Sequence, residues 1–185
     1  MDKKVNWTKL SNPGETIMIF QPTPQKMQIL IDRLLHEYLY IPDELRDSQK
    51  VTQLLQLYLA GANNLFYEFK NFGGILGFLN IIPEYKCEVI YKLWDMKLWG
   101  PTFLRDLKNS IALVIDEFQL IRMYSNTPDK KMERLAHMCG FKTECAQKHG
   151  FRWGGKLFPL KLLARTLDRK RAKPCLPCQQ HGLDI

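Results

Sequence analysis

The chain has 185 residues, the usual size of one globular domain, and is long enough to bury a hydrophobic core without help from metals or disulfides. Apolar residues make up 45% and charged residues 25% of the sequence, which excludes disordered and collagen-like proteins. No stretch approaches the roughly eighteen apolar residues of a membrane span, and residues 1–6 lack the apolar core of a secretion signal, so we expect an intracellular protein.

The first part of the chain predicts one strand followed by two helices. A short β-rich run at residues 16–20 precedes Thr23, which can cap a helix that has Pro24 at its first position. Apolar residues then recur with helical spacing. A second helix is expected from Ser48 to Ala60, with Gly61 as its stop.

Three strand candidates and the clearest helix of the chain follow. The strands are expected at residues 65–70, 75–82 and 87–94, and the turn residues between them predict an antiparallel meander. The helix extends from Thr102 to Phe118, with apolar residues on one stripe and charged residues off it. It starts directly after the turn formed by residues 99–101.

The last part of the chain predicts three more strands and one helix. The strands are expected at residues 120–125, 142–149 and 156–163. The helix starts at Thr127 and Pro128 and stops at Gly140. An aromatic and glycine-rich hairpin, residues 150–155, joins the last two strands. 

Charge divides the chain near its C-terminal end. The formal net charge is +8, and residues 142–185 contribute ten basic and three acidic side chains to it. We therefore expect one α/β domain over residues 1–165 and a basic tail containing proline and cysteine over residues 166–185. This basic end either binds nucleic acid or an acidic protein partner, or is an ordinary solvated face.

The five cysteines are expected to be free thiols, because the sequence shows no export signal. Cys175 and Cys178, followed by His181, resemble half of a zinc site, but a closed structural site needs four ligands. A solvent-exposed tail in a reducing compartment accounts for the pair equally well, so no metal site is predicted.

The order of predicted elements is β, α, α, β, β, β, α, β, α, β, β, which resembles the GCN5-related N-acetyltransferase (GNAT) superfamily. Residues 87–95, then Trp99 and Gly100, then the amphipathic helix, look like the strand, pyrophosphate loop and helix of ribosomal-protein N-acetyltransferases and phage-encoded relatives. Residues 132–141 resemble the closing helix of the family, which ends in a Gly-Phe pair. The resemblance covers residues 16–165. It implies a mixed, mostly antiparallel sheet of about six or seven strands flanked by about four helices.

The same resemblance implies acetyl-CoA as the acetyl donor. In this fold, backbone N–H groups before the helix and the positive helix N-terminus hold the coenzyme A pyrophosphate. By resemblance, Trp99, Gly100, Thr102 and Phe103 line the pyrophosphate, and Lys97 reaches a phosphate.

The resemblance also implies positions for the pantetheine arm and for catalysis. The backbone near Leu93 and Trp94 pairs with the pantetheine amides, and Glu88 is the general base that deprotonates the acceptor amine through water. Tyr124, at the end of a strand that borders the acetyl group, is a candidate acid. The alternative for Glu88 is an ordinary strand carboxylate that faces solvent or pairs with Lys92, and for Tyr124 a packing role.

Departures from the family pattern keep a second interpretation open. Thr102 and Leu104 replace small loop residues and would crowd a pyrophosphate, while Pro101 has no N–H to donate. The closing helix has Ala136 and Met132 at the aligned positions where a Tyr or Ser is usual, and Asp129 stands where many relatives have Asn.

Two functions are therefore expected from the sequence. The first is an acetyl-CoA-dependent N-acetyltransferase of the cytoplasm, acting on a primary amine of a protein or small molecule. The second is a catalytically inactive GNAT-fold protein of a phage virion or head assembly that binds a partner protein or DNA. Neither involves a membrane.

Overall fold

The structure is a computed structural model that describes residue 10, residues 13–37 and residues 40–167. Cys175, Cys178 and nearly all of the predicted 166–185 tail lie outside the described residues. Among the described helices, none is both long and apolar enough to cross a membrane.

The described strands form one mixed sheet. They are β1 (Ile17–Ile19), β2 (Leu65–Phe69), β3 (Gly74–Ile82), β4 (Lys86–Leu93), β5 (Arg122–Thr127), β6 (Lys142–Trp153) and β7 (Lys156–Thr166). Their order across the sheet is β1-β2-β3-β4-β5-β7-β6, and β4 with β5 is the one parallel pair among them. The predicted mixed, mostly antiparallel sheet is confirmed.

Helices cover both faces of this sheet. In the described ranges they are α1 (Pro24–His36), α2 (Ser48–Ala60), α3 (Pro101–Phe118) and α4 (Lys130–Met138). One hydrophobic cluster packs α3 and α4 on the first face, and a second cluster packs α1 and α2 on the other. Because side chains alternate along a strand, β4 directs Val89 and Leu93 to α3 and α4, and directs Ile90 to α1 and α2.

Helix starts follow local capping chemistry. Thr23 caps α1 as predicted, because its hydroxyl accepts a hydrogen bond from the Lys26 N–H at 3.2 Å, with Pro24 next in the chain. The predicted start of α4 at Thr127 and Pro128 is wrong by two residues, because the helix begins at Lys130. Asp129 is the cap instead, since its carboxylate accepts a hydrogen bond from the Lys131 N–H at 2.7 Å.

The hairpin between β6 and β7 is tighter than its sequence suggests. The prediction gave residues 150–155 to the connection, whereas β6 continues through Trp153 and β7 begins at Lys156. Only Gly154 and Gly155 form the turn, with φ of 56° and 74°. Two consecutive positive φ values match the twist of the flanking strands, and glycine adopts them without strain.

A buried carboxylate in the second turn of α3 joins this helix to the residue before β1. Asp106 is 1% exposed and accepts hydrogen bonds from the N–H of Thr16 at 3.0 Å and from its hydroxyl at 2.8 Å. Arg105 is a further partner at 3.2 Å. Burial on its own raises the pKa of Asp106, but these hydrogen bonds outweigh it and hold that pKa below its ordinary value. Asp106 thereby fixes the position of the α3 N-terminus.

Candidate active site

β4 and β5 separate part-way along their length. Their register contains three residue pairs and ends at Glu88 opposite Tyr124, while β4 continues to Leu93. On its other side β4 stays paired, because the Trp94 N–H donates to the Gly73 carbonyl of the β3 side at 3.1 Å. Backbone groups alternate in direction along a strand, so the N–H and carbonyl of Leu93 point into the gap. The gap therefore exposes a backbone edge of β4.

A cavity of about 300 Å³, here called the central cavity, lies where this gap meets α1 and α2. Its apolar walls include Leu30 and Leu34 of α1 and Leu55 of α2. Its hydroxyl-bearing and amide-bearing lining residues are Tyr40, Tyr58, Tyr91, Ser125, Asn126 and Thr127. Two lining residues carry a formal charge, Glu88 and Lys92, and both come from β4.

Glu88 is half-buried in the wall of the central cavity. Burial raises the pKa of its carboxyl group above the ordinary value. The pKa values of Tyr58 and Tyr124 are also raised, first by burial and then by the charge of Glu88. A carboxyl group with a raised pKa, facing a largely apolar space, is suited to accept a proton from a bound molecule.

Lys92 does not pair with Glu88, contrary to one interpretation of the sequence. Its ammonium group donates to the Tyr40 backbone carbonyl at 3.0 Å and lies 4.7 Å from the centre of the Tyr40 ring. Burial lowers the pKa of Lys92 to about 8, partly offset by the charge of Asp129. Two oppositely charged groups therefore face one cavity without forming an ion pair.

Tyr40 separates the central cavity from a second space at the end of β4. Its hydroxyl donates to the Leu93 carbonyl at 2.9 Å, inside the gap between β4 and β5. The second space, here called the β4-end cavity, has a volume of about 300 Å³ and is lined by Tyr40, Leu93, Trp94 and Met132 among others. Asp129 also lines it. Leu93 and Trp94, which the resemblance assigns to the pantetheine arm, both line this cavity.

The phenol of Tyr91 lies beside the first turn of α4. At this turn the helix carries Met132, a residue without an acidic hydrogen. The Tyr91 hydroxyl donates to the Met132 backbone carbonyl at 3.1 Å, and Ser125 is a further hydrogen-bond neighbour. Sequence reasoning missed Tyr91, although the alternation along β4 places it on the face that packs against α3 and α4. Tyr124 lies on β5 opposite Glu88 and is half-buried.

A third space, here called the α3 cavity, lies between the start of α3 and α4. It has a volume of about 400 Å³, and Trp99, Gly100 and Phe103 line it. Leu104 forms part of its wall, so this side chain does not fill the space. Leu135 and Met138 contribute the wall from α4.

Gly100 has no conformational reason to be glycine. Its φ of −162° is extended backbone that any residue adopts, and an added Cβ would meet only the Leu98 carbonyl, at 3.9 Å. The missing side chain therefore leaves open space in front of the backbone. The first helical hydrogen bond is donated by Leu104 to Gly100 at 3.0 Å, so the N–H groups of Thr102 and Phe103 have no partner within the helix. This arrangement fits a pyrophosphate at the positive end of α3.

Two of the residues assigned to the cofactor lie outside these cavities. Lys97 is exposed on the short 3₁₀ helix Met96–Leu98, where its N–H donates to the Asp95 carboxylate at 3.0 Å. The side chain of Thr102 is exposed at the first turn of α3. Neither side chain lines the α3 cavity, so Thr102 does not crowd it.

Comparison with known proteins gives structural neighbours only. No family model matches the chain, and no curated protein sequence matches it significantly. Spermidine N-acetyltransferase from Vibrio cholerae, solved with CoA and spermine, superposes with a TM-score of 0.61 at 13% identity and covers 82% of this chain and 95% of its own. An acetyltransferase from Salmonella typhimurium, which modifies the N-terminal serine of a 50S ribosomal subunit protein, superposes with a TM-score of 0.65 at 15% identity. The match covers 85% of this chain and 99% of the neighbour.

These neighbours agree with the element order, the mixed seven-stranded sheet and the four flanking helices of the described residues. At sequence identities this low, the superpositions show a shared fold and nothing further. The chain has the fold of the GCN5-related N-acetyltransferases.

Proposed function

We propose that the chain is an acetyl-CoA-dependent N-acetyltransferase that acts on a primary amine. The separation of β4 from β5 beyond Glu88 and Tyr124 carries this proposal. This separation connects the central cavity, which contains the Glu88 carboxyl group, with the exposed backbone edge of β4. The structural neighbours solved with CoA, from Vibrio cholerae and among ribosomal-protein acetyltransferases, support it by analogy.

The donor site would be built from backbone rather than from charged side chains. Gly100 and the N–H groups of Thr102 and Phe103 would hold the pyrophosphate at the α3 N-terminus. Lys97, exposed nearby in the chain, would contribute charge to a phosphate. The N–H of Leu93, which points into the gap, would donate to the pantetheine arm. Bound acetyl-CoA supplies an activated acetyl thioester.

Glu88 would prepare the acceptor for attack. A primary amine is protonated at neutral pH and becomes a nucleophile only after it loses that proton. Glu88 accepts the proton directly or through one water, and its raised pKa brings its basicity closer to that of the amine. The open mouth of the gap then lets the neutral amine reach the β4 edge.

A tyrosine would return a proton to the departing thiolate, because Met132 on α4 carries no acidic hydrogen. Tyr124 lies opposite Glu88 on β5, whereas the Tyr91 hydroxyl lies 3.1 Å from the α4 carbonyl of Met132. Acetyl transfer to a panel of primary amines, followed by thiol release, tests the function. Tyr124→Phe and Tyr91→Phe then identify the donor, since the variant that removes it is expected to lose about 10²-fold or more in kcat.

The second candidate is an inactive GNAT-fold protein that binds protein or DNA in a phage particle, and it is suggested by the altered loop sequence. That candidate requires side chains to block the cofactor. Leu104 lines the α3 cavity and Thr102 is exposed, so these substitutions leave the space open and favour the enzyme.

A further inference from the structure

The charges of the central cavity restrict the chemistry of the acceptor, and this inference rests on the proposed function. The residues that line this cavity include one carboxylate, Glu88, and one ammonium group, Lys92. They lie on the same face of β4, four residues apart, which separates their Cα atoms by about 13 Å. The walls between and around them are mainly apolar. A molecule that fills this cavity meets opposite charges at its two ends.

Lys92 has spare capacity to bind a ligand. An ammonium group has three N–H donors, and among the described residues only the Tyr40 carbonyl accepts from it. The Tyr40 ring lies 4.7 Å from the ammonium group on one side, and Lys92 also lines the central cavity. Asp129, the acidic residue whose charge acts on Lys92, uses its carboxylate to cap α4.

A half-buried lysine without a hydrogen-bonded carboxylate partner costs folding free energy, because the Tyr40 carbonyl and ring replace only part of the hydration that its charge loses. The lowered pKa, about 8, is a sign of this cost, yet the group stays charged at neutral pH. A bound anion restores the missing interaction. One ammonium group matches a single negative charge, which favours a carboxylate over a phosphate.

We propose that the acceptor is a zwitterionic amine of the amino-acid class, whose amine faces Glu88, whose carboxylate binds Lys92 and whose apolar body fills the space between them. A polyamine fits this cavity poorly. It carries no anion for Lys92, and a second ammonium group at that end of the cavity would be repelled. The acceptor preference of this chain therefore differs from that of the spermidine acetyltransferases whose fold it shares.

Matched pairs of carboxylate and carboxamide test this assignment. Binding to the full chain is measured by calorimetry, without an acetyl donor, for 6-aminohexanoate against its amide, β-alanine against β-alaninamide and γ-aminobutyrate against its amide. Spermidine is the polycation probe. We expect at least one carboxylate to bind about tenfold or more tightly than its amide, the ratio that corresponds to about 1.4 kcal/mol.

Lys92→Met removes the charge and keeps an unbranched apolar side chain. In this variant the ratio of carboxylate affinity to carboxamide affinity is expected to fall to about one. Lys86→Met is the matched control, because Lys86 lies on the same face of β4 but does not line the central cavity. It should keep the wild-type ratio. A melting curve for each variant confirms that both fold.

Three results would overturn the assignment. They are binding of spermidine in preference to every carboxylate, absence of any preference for carboxylate over amide, and a preference that survives in Lys92→Met. Acetyl-CoA titrated in a separate cell tests the proposed function independently. Failure of that titration with a retained carboxylate preference would remove the enzyme and keep the binding site.

Discussion

The hydroxyl of Tyr40 donates a 2.9 Å hydrogen bond to the backbone carbonyl of Leu93. This contact lies in the gap between β4 and β5 and joins the segment after α1 to the exposed edge of β4. The pantetheine arm is proposed to use that same edge. In the proposed complex a pantetheine N–H would donate to the Leu93 carbonyl, so Tyr40 would compete with the donor for that carbonyl, while its own backbone carbonyl accepts a hydrogen bond from Lys92.

Tyr40→Phe separates these two roles, because phenylalanine keeps the ring and the backbone carbonyl that contact Lys92. We expect acetyl-CoA to bind a few-fold more tightly, since the Leu93 carbonyl becomes available. The free energy of unfolding should fall by about 1 kcal/mol for the lost hydrogen bond. Calorimetric titration and denaturant unfolding measure the two quantities. Weaker acetyl-CoA binding in this variant would show that Tyr40 contributes to the donor site.

Gly100→Ala tests the open space at the start of α3. The added methyl meets no protein atom closer than 3.9 Å, so the melting temperature should stay within about 1 °C of wild type, as is usual for surface changes. Acetyl-CoA affinity is expected to drop by about tenfold or more, because the methyl occupies the place of the pyrophosphate.

Gly14→Ala is the contrasting glycine variant. A Cβ there would lie 2.4 Å from the carboxyl carbon of Asp106, so this variant should lower the melting temperature. Equal acetyl-CoA affinity of Gly100→Ala and wild type would contradict the placement of the pyrophosphate.

Glu88→Gln should slow acetyl transfer and stabilise the fold. Loss of a general base lowers kcat by about 10²- to 10⁴-fold. Because burial raises the pKa of Glu88, the folded chain holds its proton more tightly than the unfolded chain does. Stability therefore declines as pH rises from the unfolded pKa of about 4.3 through the folded value. Glutamine has no charge to bury, so the variant should melt higher than wild type at neutral pH.

The difference in melting temperature between wild type and Glu88→Gln should shrink in mildly acidic buffer, where Glu88 is protonated. Glu15→Gln is the control for the loss of one surface carboxylate, because Glu15 is exposed. Scanning calorimetry at the two pH values and a thiol-release assay provide the readouts. Unchanged kcat in Glu88→Gln would remove Glu88 from the mechanism.

Asp106→Asn should destabilise the fold without touching the cavities. The amide can no longer accept two hydrogen bonds from Thr16 and pair with Arg105 as a carboxylate does, a loss of about 1 to 3 kcal/mol. For a chain of this size, this corresponds to about 2 to 4 °C in melting temperature for each kcal/mol. Asp116→Asn, at an exposed position of the same helix, should melt like wild type.

Acid titration adds a second readout for Asp106. The folded pKa lies below the unfolded value of about 3.9, so the stabilisation by Asp106 is present above that pH. It is lost as pH falls through the folded pKa. The stability gap between wild type and Asp106→Asn should therefore narrow in strong acid, and a gap that stays constant would contradict the role given to the carboxylate.

Local sequence signals predicted much of the fold because they are physically local. Thr23 and Pro24 define the start of α1, and Gly61 lies directly after α2. The expected strand over residues 87–94 was found as β4 (Lys86–Leu93), within one residue at each end. The hairpin of β6 and β7 was predicted less well, since aromatic residues such as Trp153 suit both a strand and a loop.

The parts of the site that sequence did not predict depend on contacts between distant segments. Tyr40 reaches Leu93 across 53 residues, and Tyr91 reaches Met132 across 41. Sequence periodicity and residue spacing cannot predict such contacts, because these contacts depend on how α1, the sheet and α4 pack together. The hydrogen-bond partner of Lys92 is the backbone carbonyl of Tyr40. Every residue has a backbone carbonyl, so the amino-acid sequence could not identify this partner.

Calorimetric titration of the full chain with acetyl-CoA tests the central claim, that the separated β4 edge and the α3 N-terminus form a donor site. We predict one site per chain with a dissociation constant in the micromolar range, which corresponds to a binding free energy of about −8 kcal/mol. Gly100→Ala is expected to bind acetyl-CoA more weakly. Absence of heat at millimolar acetyl-CoA, with a folded protein in the cell, would contradict the account and leave the fold as a scaffold.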